Sequence, residues 1–326
     1  MKNLRLYGAG LLAALLLALV IYISGRGAGE GGGGGSESRA GTTWTARTMQ
    51  NTSLESVTYG NGLFVAVGRS TILTSPDGVN WTQRTPQMYF LSPIEIYTLT
   101  SVTYGNDLFV AVGNDFLDGS IILTSPDGVD WMQQISLTGS LLWDVTYGNN
   151  TFVAVGSNGT ILTSPDGVNW TRWTSPAGGG LGVTYGNGLF VAVGDDGAIL
   201  TSTDGVNWTA RTSPTRDPLY GVTYGNGTFV AVGDDGAILT SPDGVTWTQR
   251  TSPNSHSLQG VAYGNGTFVA VGKSSSLFDL TTILTSPDGV NWTEQISPTM
   301  DWLNGVAYGN GTFVAVGMFG SILTSP

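Results

Sequence analysis

The chain of 326 residues contains no cysteine and a single histidine, His256. The first absence excludes a disulfide framework, a thiol nucleophile and any cysteine-ligated metal. The second excludes a multi-histidine metal centre. Charge is scarce as well: Asp, Glu, Lys and Arg together make up 11% of the residues. From position 42 onward, 8 basic residues stand against 21 acidic ones. So few cations argue against a nucleic-acid partner, whose phosphates must be neutralised. A helical stripe is also lacking, because glycine recurs every few residues and no apolar pattern follows a 3.6-residue period.

What fills the chain instead is one unit repeated seven times. It reads V-T-Y-G-N-G-x-F-V-A-V-G, a short gap, then I-L-T-S-P-D-G-V-N-W-T. Its tyrosines are Tyr59, Tyr104, Tyr147, Tyr185, Tyr224, Tyr263 and Tyr308, spaced by 45, 43, 38, 39, 39 and 45 residues. In the copy at 183–209, Val183–Tyr185 reads as a strand and Asn187-Gly188 as a hairpin turn. Leu189–Val193 is apolar at every position, as a strand buried on both faces must be. Asp195-Asp196-Gly197 turns the chain, Ala198–Thr201 is a third strand, Asp204-Gly205 turns again, and Val206–Thr209 is a fourth. Four short antiparallel strands at a period near forty predict an all-β, seven-bladed β-propeller over residues 42–326, expected to be monomeric.

The last repeat stops at Ser325-Pro326, before its tryptophan strand, and an extra copy of that strand, Thr43–Thr48, precedes the first repeat. Seven tyrosine units therefore match seven repeat tryptophans: Trp44, Trp81, Trp131, Trp170, Trp208, Trp247 and Trp292. The N-terminal strand is predicted to complete the last blade and close the ring. The competing reading, an eighth blade beyond Pro326, does not fit that count.

The first 25 residues are of another kind. Lys2 and Arg5 precede an uncharged, Leu- and Ala-rich run from Leu6 to Ser24, and a Gly-rich stretch follows. This is an export leader, either cleaved or kept as a single-pass anchor, with 26–41 as a flexible tether. Basic residues ahead of the run place the propeller outside the cytoplasmic membrane, anchored, or secreted if the leader is cleaved. A bacterial cell envelope is the expected setting.

The third turn of each repeat, Ser75-Pro76-Asp77-Gly78-Val79-Asn80-Trp81 and its copies around Asp127, Asp166, Asp204, Asp243 and Asp288, resembles the Asp box of sialidase-like propellers, also called the bacterial neuraminidase repeat. It is one residue shorter between Asp and Trp than that family's pattern. The physical reading is structural: the carboxylate accepts backbone N–H groups, Gly takes a positive φ, and Trp packs beneath the turn against the next blade. One carboxylate per turn does not make a calcium shell, and no metal or cofactor is expected.

The resemblance implies a test for sialidase chemistry, with three arginines on a substrate carboxylate, a Tyr–Glu nucleophile pair and an acid/base Asp. Arg47, Arg84, Arg211 and Arg250 all fall three residues after a repeat tryptophan, a position in the outermost strand. Only Glu55, Glu95 and Glu294 supply glutamate in the repeat region, and nothing in the spacing selects a pair. No catalytic residue is assigned.

Internal variation points to one face. The tyrosine and Asp turns scarcely change between repeats, whereas the connections between repeats and the second turn of each repeat differ in length and content. Those variable segments hold Tyr89, Phe90, Tyr97, Phe116, Trp143, Trp173, Arg216, Tyr220, Phe278, Trp302 and Phe319. Aromatics on loops of a rigid scaffold are suited to recognition. The expected function is non-catalytic binding of a protein or polysaccharide. The alternatives are a glycosidase or lectin-like glycan binder, or a spacer without a ligand. Photosystem assembly-factor propellers offer an analogy for non-enzymatic assembly.

Overall fold

A computed structural model describes residues 40–47, 52–87, 97–115, 119–176, 178–274 and 281–326. The predicted leader lies outside the described residues, as do Tyr89, Phe90, Phe116 and Phe278. Seven four-stranded antiparallel sheets form the blades of a β-propeller. Blades 1 to 7 are numbered by their inner strands: Leu54–Gly60, Tyr97–Gly105, Leu142–Gly148, Gly180–Gly186, Leu219–Gly225, Ser257–Gly264 and Leu303–Gly309.

The second strand explains why the blades stack. In blade 1, Phe64 and Ala66 pack with Val314 and Val316 of blade 7, while Val65 and Val67 pack with Leu99 and Phe109 of blade 2. The alternation of side chains across a strand thus gives each blade two apolar faces, neither of which can be buried within its own sheet. Seven such inter-blade cores run round the ring. The repeat phenylalanines, Phe64 to Phe313, are fully buried.

Nearer the axis the blades meet through a glycine and a tyrosine. A Cβ on Gly186 would lie 2.2 Å from Cγ of Tyr224 in the next blade. The same seat recurs at every junction, including Gly309 against Tyr59, which joins blade 7 to blade 1. Each tyrosine also stacks at 4.6–4.7 Å, in a tilted arrangement, on the phenylalanine that follows it in its own blade.

Closure follows the prediction. Thr45 and Ala46 pair with Thr324 and Leu323 as the outer strand of blade 7. The turn before that strand is assembled from two distant pieces of chain. Gly41 N–H donates to Ser325 Oγ at 3.0 Å, and Trp44 Nε1 donates to Gly41 O at 2.8 Å. These match the bonds from Gly78 to Ser75 and from Trp81 to Gly78 inside a continuous turn. Ala40 and Gly41, expected in the tether, are therefore built into the blade, and Ala40 is buried in the core between blades 6 and 7.

The six Asp turns form as expected. Asp77 Oδ1 accepts the N–H groups of Val79 and Asn80 at 2.8 and 2.9 Å, and Oδ2 accepts Asn80 Nδ2 at 2.9 Å. These donors, the Asn80 N–H above all, hold the Asp77 carboxyl far below the usual range. Asp243 is lowered to about 2 by the N–H groups of Thr246 and Val245. Such depressed groups add stability above pH about 4 that is lost as pH falls through their folded values. One expectation is corrected: Trp131 and Trp170 pack against the preceding blade, not the following one. They share a face with the phenylalanines, as the 6.4 Å separation of Phe109 and Trp131 shows.

Two substitutions one turn apart separate seat from strain. Gly186→Ala drives a methyl group into Tyr224 and is expected to cost about 3 kcal/mol or more. Gly188 has φ +76° with nothing within 4 Å of a built Cβ. Gly188→Ala should cost only the left-handed backbone penalty, about 1–2 kcal/mol. Urea unfolding of both variants measures the difference.

Candidate binding site at the channel mouth

Every inner strand carries a β-bulge at the same place, the fourth residue before its tyrosine. In blade 1 the register jumps from Leu54 to Ser56 and leaves Glu55 unpaired. The same shift leaves out Thr100, Trp143, Leu181, Tyr220, Gln259 and Asn304 in blades 2 to 7. A bulge adds a residue to one strand and re-aims its side chain. Here all seven bulge residues line one cavity of about 590 Å³ on the axis. The seven differ from one another, yet two positions later every repeat has valine.

Beside each bulge the blades are joined in two ways. In blades 4 to 7 the next residue is glycine, and a Cβ on Gly182, Gly221, Gly260 or Gly305 would come within 2.6–3.1 Å of the next blade's bulge carbonyl. In blades 1 to 3 a side chain bridges instead. Ser56 Oγ accepts Val102 N–H at 3.4 Å, Ser101 Oγ accepts Val145 N–H at 3.3 Å, and Asp144 Oδ2 accepts Val183 N–H at 2.7 Å. Ser101 Oγ also donates to Asp144 Oδ1 at 2.5 Å, and Val145 N–H donates to the same oxygen at 2.9 Å. Burial pushes the Asp144 carboxyl up to about 6, against the pull of these three donors.

The bulge residues also make contacts of their own. Thr100 Oγ1 donates to Leu142 O at 2.9 Å and Asn304 Nδ2 to Leu54 O at 2.9 Å, each reaching the following blade. The two oxygens of Glu55 accept from neutral groups, Ser53 Oγ at 2.9 Å and Asn304 Nδ2 at 3.0 Å. The Tyr220 phenol is raised above its usual value by burial and then by the charges of Asp234, Asp195 and Asp235. Those acids sit in the second turns of blades 4 and 5, Asp195–Gly197 and Asp234–Gly236.

The aromatics expected on this face fall into three groups. Trp143 and Tyr220 line the cavity, and they belong to inner strands, not to the connections between blades. Trp302 and Phe319 lie outside it on blade 7, 41% and 61% exposed. Met318 N–H donates to Trp302 O at 2.9 Å, and Lys273 Nζ lies 5.2 Å from the centre of the Trp302 ring. Phe319 is in the left-handed region at φ 54°, where the matching turns of blades 3, 4 and 5 place Asn158, Asp196 and Asp235. A bulky side chain there is strained. Arg216 is exposed on a connection.

Two expectations are corrected. Tyr97 is 6% exposed and packs in the core between blades 1 and 2, because it opens the inner strand of blade 2. Trp173 lies in the outer strand Thr171–Thr174, paired with Ile161, and its Nε1 donates to Thr163 Oγ1 at 2.9 Å. Arg84, Arg211 and Arg250 make the same bond to a third-strand threonine in their own blades, so Trp173 fills a structural position. As binding residues, sequence reasoning overlooked Glu55, Thr100, Leu181, Gln259 and Asn304. Comparing the repeats at the fourth position before tyrosine would have found them.

No protein-family model matches the chain, and no curated protein matches it. Solved structures do. YCF48 bound to D1 peptide is 17% identical, over 89% of this chain and 96% of that one, with a TM-score of 0.68. YCF48 from Cyanidioschyzon merolae is 16% identical, over 86% and 98%, at 0.64. The selenomethionine-substituted virginiamycin B lyase from Staphylococcus aureus is 15% identical, over 87% and 98%, at 0.71. Likeness at this identity establishes the fold, a seven-bladed β-propeller.

The Asp144 carboxyl carbon should titrate in ¹³C NMR with a midpoint near pH 6. Its folded value is raised, so its protonated form contributes stability that is present below pH about 4 and lost as pH rises through about 6. Thermal unfolding of the native chain and of Asp144→Ala between those limits should show that slope only in the native chain.

Proposed function

We propose that this propeller is a non-catalytic binding module that takes a peptide segment of a partner protein into the mouth of its central channel. The observation that carries the reading is the ring of seven bulge residues. They differ from blade to blade, and each is turned onto the axis by the same backbone device. A repeat protein diversified at a position that lines a cavity in every blade has a recognition surface there. The cavity lies within the range of about 300–1,000 Å³ that holds a small ligand or a few side chains. It has room for a loop or chain end of a partner, not for a folded domain.

YCF48, one of the similar folds, is described as bound to a peptide, which accords with this mode. The Asp turns support a place among the Asp-box propellers. Acid–base chemistry is disfavoured by the state of Asp144, whose two oxygens are taken by three donors that join blades 2, 3 and 4. The apolar N-terminal run supports a role outside the cytoplasmic membrane, in a cell envelope, with the propeller anchored by that run or secreted after its cleavage.

A library of random dodecapeptides panned against the full chain tests the site. Enriched peptides should lose at least about tenfold in affinity when Trp143 and Tyr220 are both changed to Ala, as expected for central aromatic anchors. They should keep it when Trp302, outside the cavity, is changed to Ala. Peptides that ignore the channel pair, or a library that yields no binder, would sink the reading.

A further inference from the structure

The ring of bulge residues has two unlike halves. Blades 3, 4 and 5 supply Trp143, Leu181 and Tyr220, a continuous apolar arc. The polar bulge residues belong to blades 6, 7, 1 and 2, which are also adjacent. In a seven-membered ring blade 1 stands across the axis from blades 4 and 5, so Glu55 faces the arc made by Leu181 and Tyr220. Glu55 is the sole acidic bulge residue, and among the described residues no lysine or arginine lines the cavity.

We infer that the channel selects a peptide segment carrying a lysine or arginine beside a bulky apolar residue. The apolar side chain would lie on the Trp143–Leu181–Tyr220 arc, and the cation would reach the Glu55 carboxylate. This rests on the channel-binding reading above and adds the chemistry of the occupant. Three observations carry it.

First, Glu55 is held in place by neutral donors. Ser53 and Asn304 each bond one oxygen and leave its charge uncompensated, and among the described residues no cation pairs with it. Each carboxylate oxygen has a further lone pair to offer. Second, the surrounding field has the same sign. The carboxylates of Asp195, Asp234 and Asp235 act on the Tyr220 phenol, and the carboxylate of Asp144 sits in the wall. A mouth of one charge sign with low-dielectric walls attracts the opposite charge. Third, the aromatic arc suits a cation's hydrocarbon stem as well as an apolar neighbour, since Lys and Arg lay their methylenes along such surfaces. The basic groups of this face lie outside the cavity lining: Lys273 lies over Trp302, Arg216 is on an exposed connection, and Arg69 is exposed in the second turn of blade 1, where its N–H bonds Ser53 O.

The same dodecapeptide panning, followed by affinity measurements on the full chain, decides it. Peptides that require Trp143 and Tyr220 should be enriched in a lysine or arginine next to Leu, Phe, Tyr or Trp. Their binding should weaken at least about tenfold in Glu55→Gln, the scale of a desolvated charged contact, and stay close to native in Glu55→Asp. On the unaltered protein, raising NaCl should weaken a lysine peptide and leave its norleucine analogue unmoved. Channel-dependent peptides without a cation, indifferent to both Glu55→Gln and salt, would overturn the charge assignment and leave the channel reading intact. Failure to obtain any peptide that depends on Trp143 and Tyr220 would overturn both.

Discussion

The contact on which this molecule depends is the seating of each repeat tyrosine on the glycine of the blade before it. A built Cβ on any of those seven glycines would lie within 2.0–2.2 Å of the tyrosine ring. No residue larger than glycine allows the inner strands so close. The tyrosine is fixed from its other side by a buried phenylalanine of its own blade, so the approach of neighbouring blades is set by stacked rings rather than by loops. Seven equal contacts close a circle, and Gly309 on Tyr59 closes it without distortion. The inter-blade cores then bury the apolar second strands, each of which contributes a phenylalanine, two valines and an alanine to the core.

With that end of the channel held uniform, the other end is free to vary. The bulge is what makes variation there useful. In a regular inner strand, side chains point to the two neighbouring blades and must fit their cores. One extra residue per strand breaks the alternation and turns a single side chain onto the axis. That position escapes the packing constraint, and it accommodates glutamate, tryptophan and leucine alike in three different blades. Its neighbour shows the opposite pressure. It must be glycine, or a serine or aspartate able to bridge to the next blade's N–H, because the blades there are only a hydrogen bond apart.

Much of the architecture was legible in the sequence because the repeat is local. The Asn-Gly and Asp-Gly turns, the fully apolar second strand and the displaced tryptophan strand each express a rule acting over a few residues. The binding face was read less well, since the signs used, loop length and spare aromatics, do not distinguish a rim from a core. Trp173 looked like a spare aromatic and is a hydrogen-bonding substitute for arginine in an outer strand. Tyr97 looked like loop decoration and is buried between two blades. Trp143 and Tyr220 stood out as aromatics, but the reason they reach the axis is a pairing irregularity, which the repeats mark only by variation four residues before the tyrosine.

The sequence by itself determined the number of blades, their strand order and the closure through residues 45–46, because a fold made of repeats writes its period and its count directly into the chain. Only the tertiary structure decided which residues meet. Glu55 and Tyr220 are 165 positions apart and share a cavity because five inner strands curve round one axis. Asp144 is held high by burial in a wall made by three blades. Both depend on the register between strands and on the distance between blades, quantities that arise from packing and have no counterpart in the order of the residues.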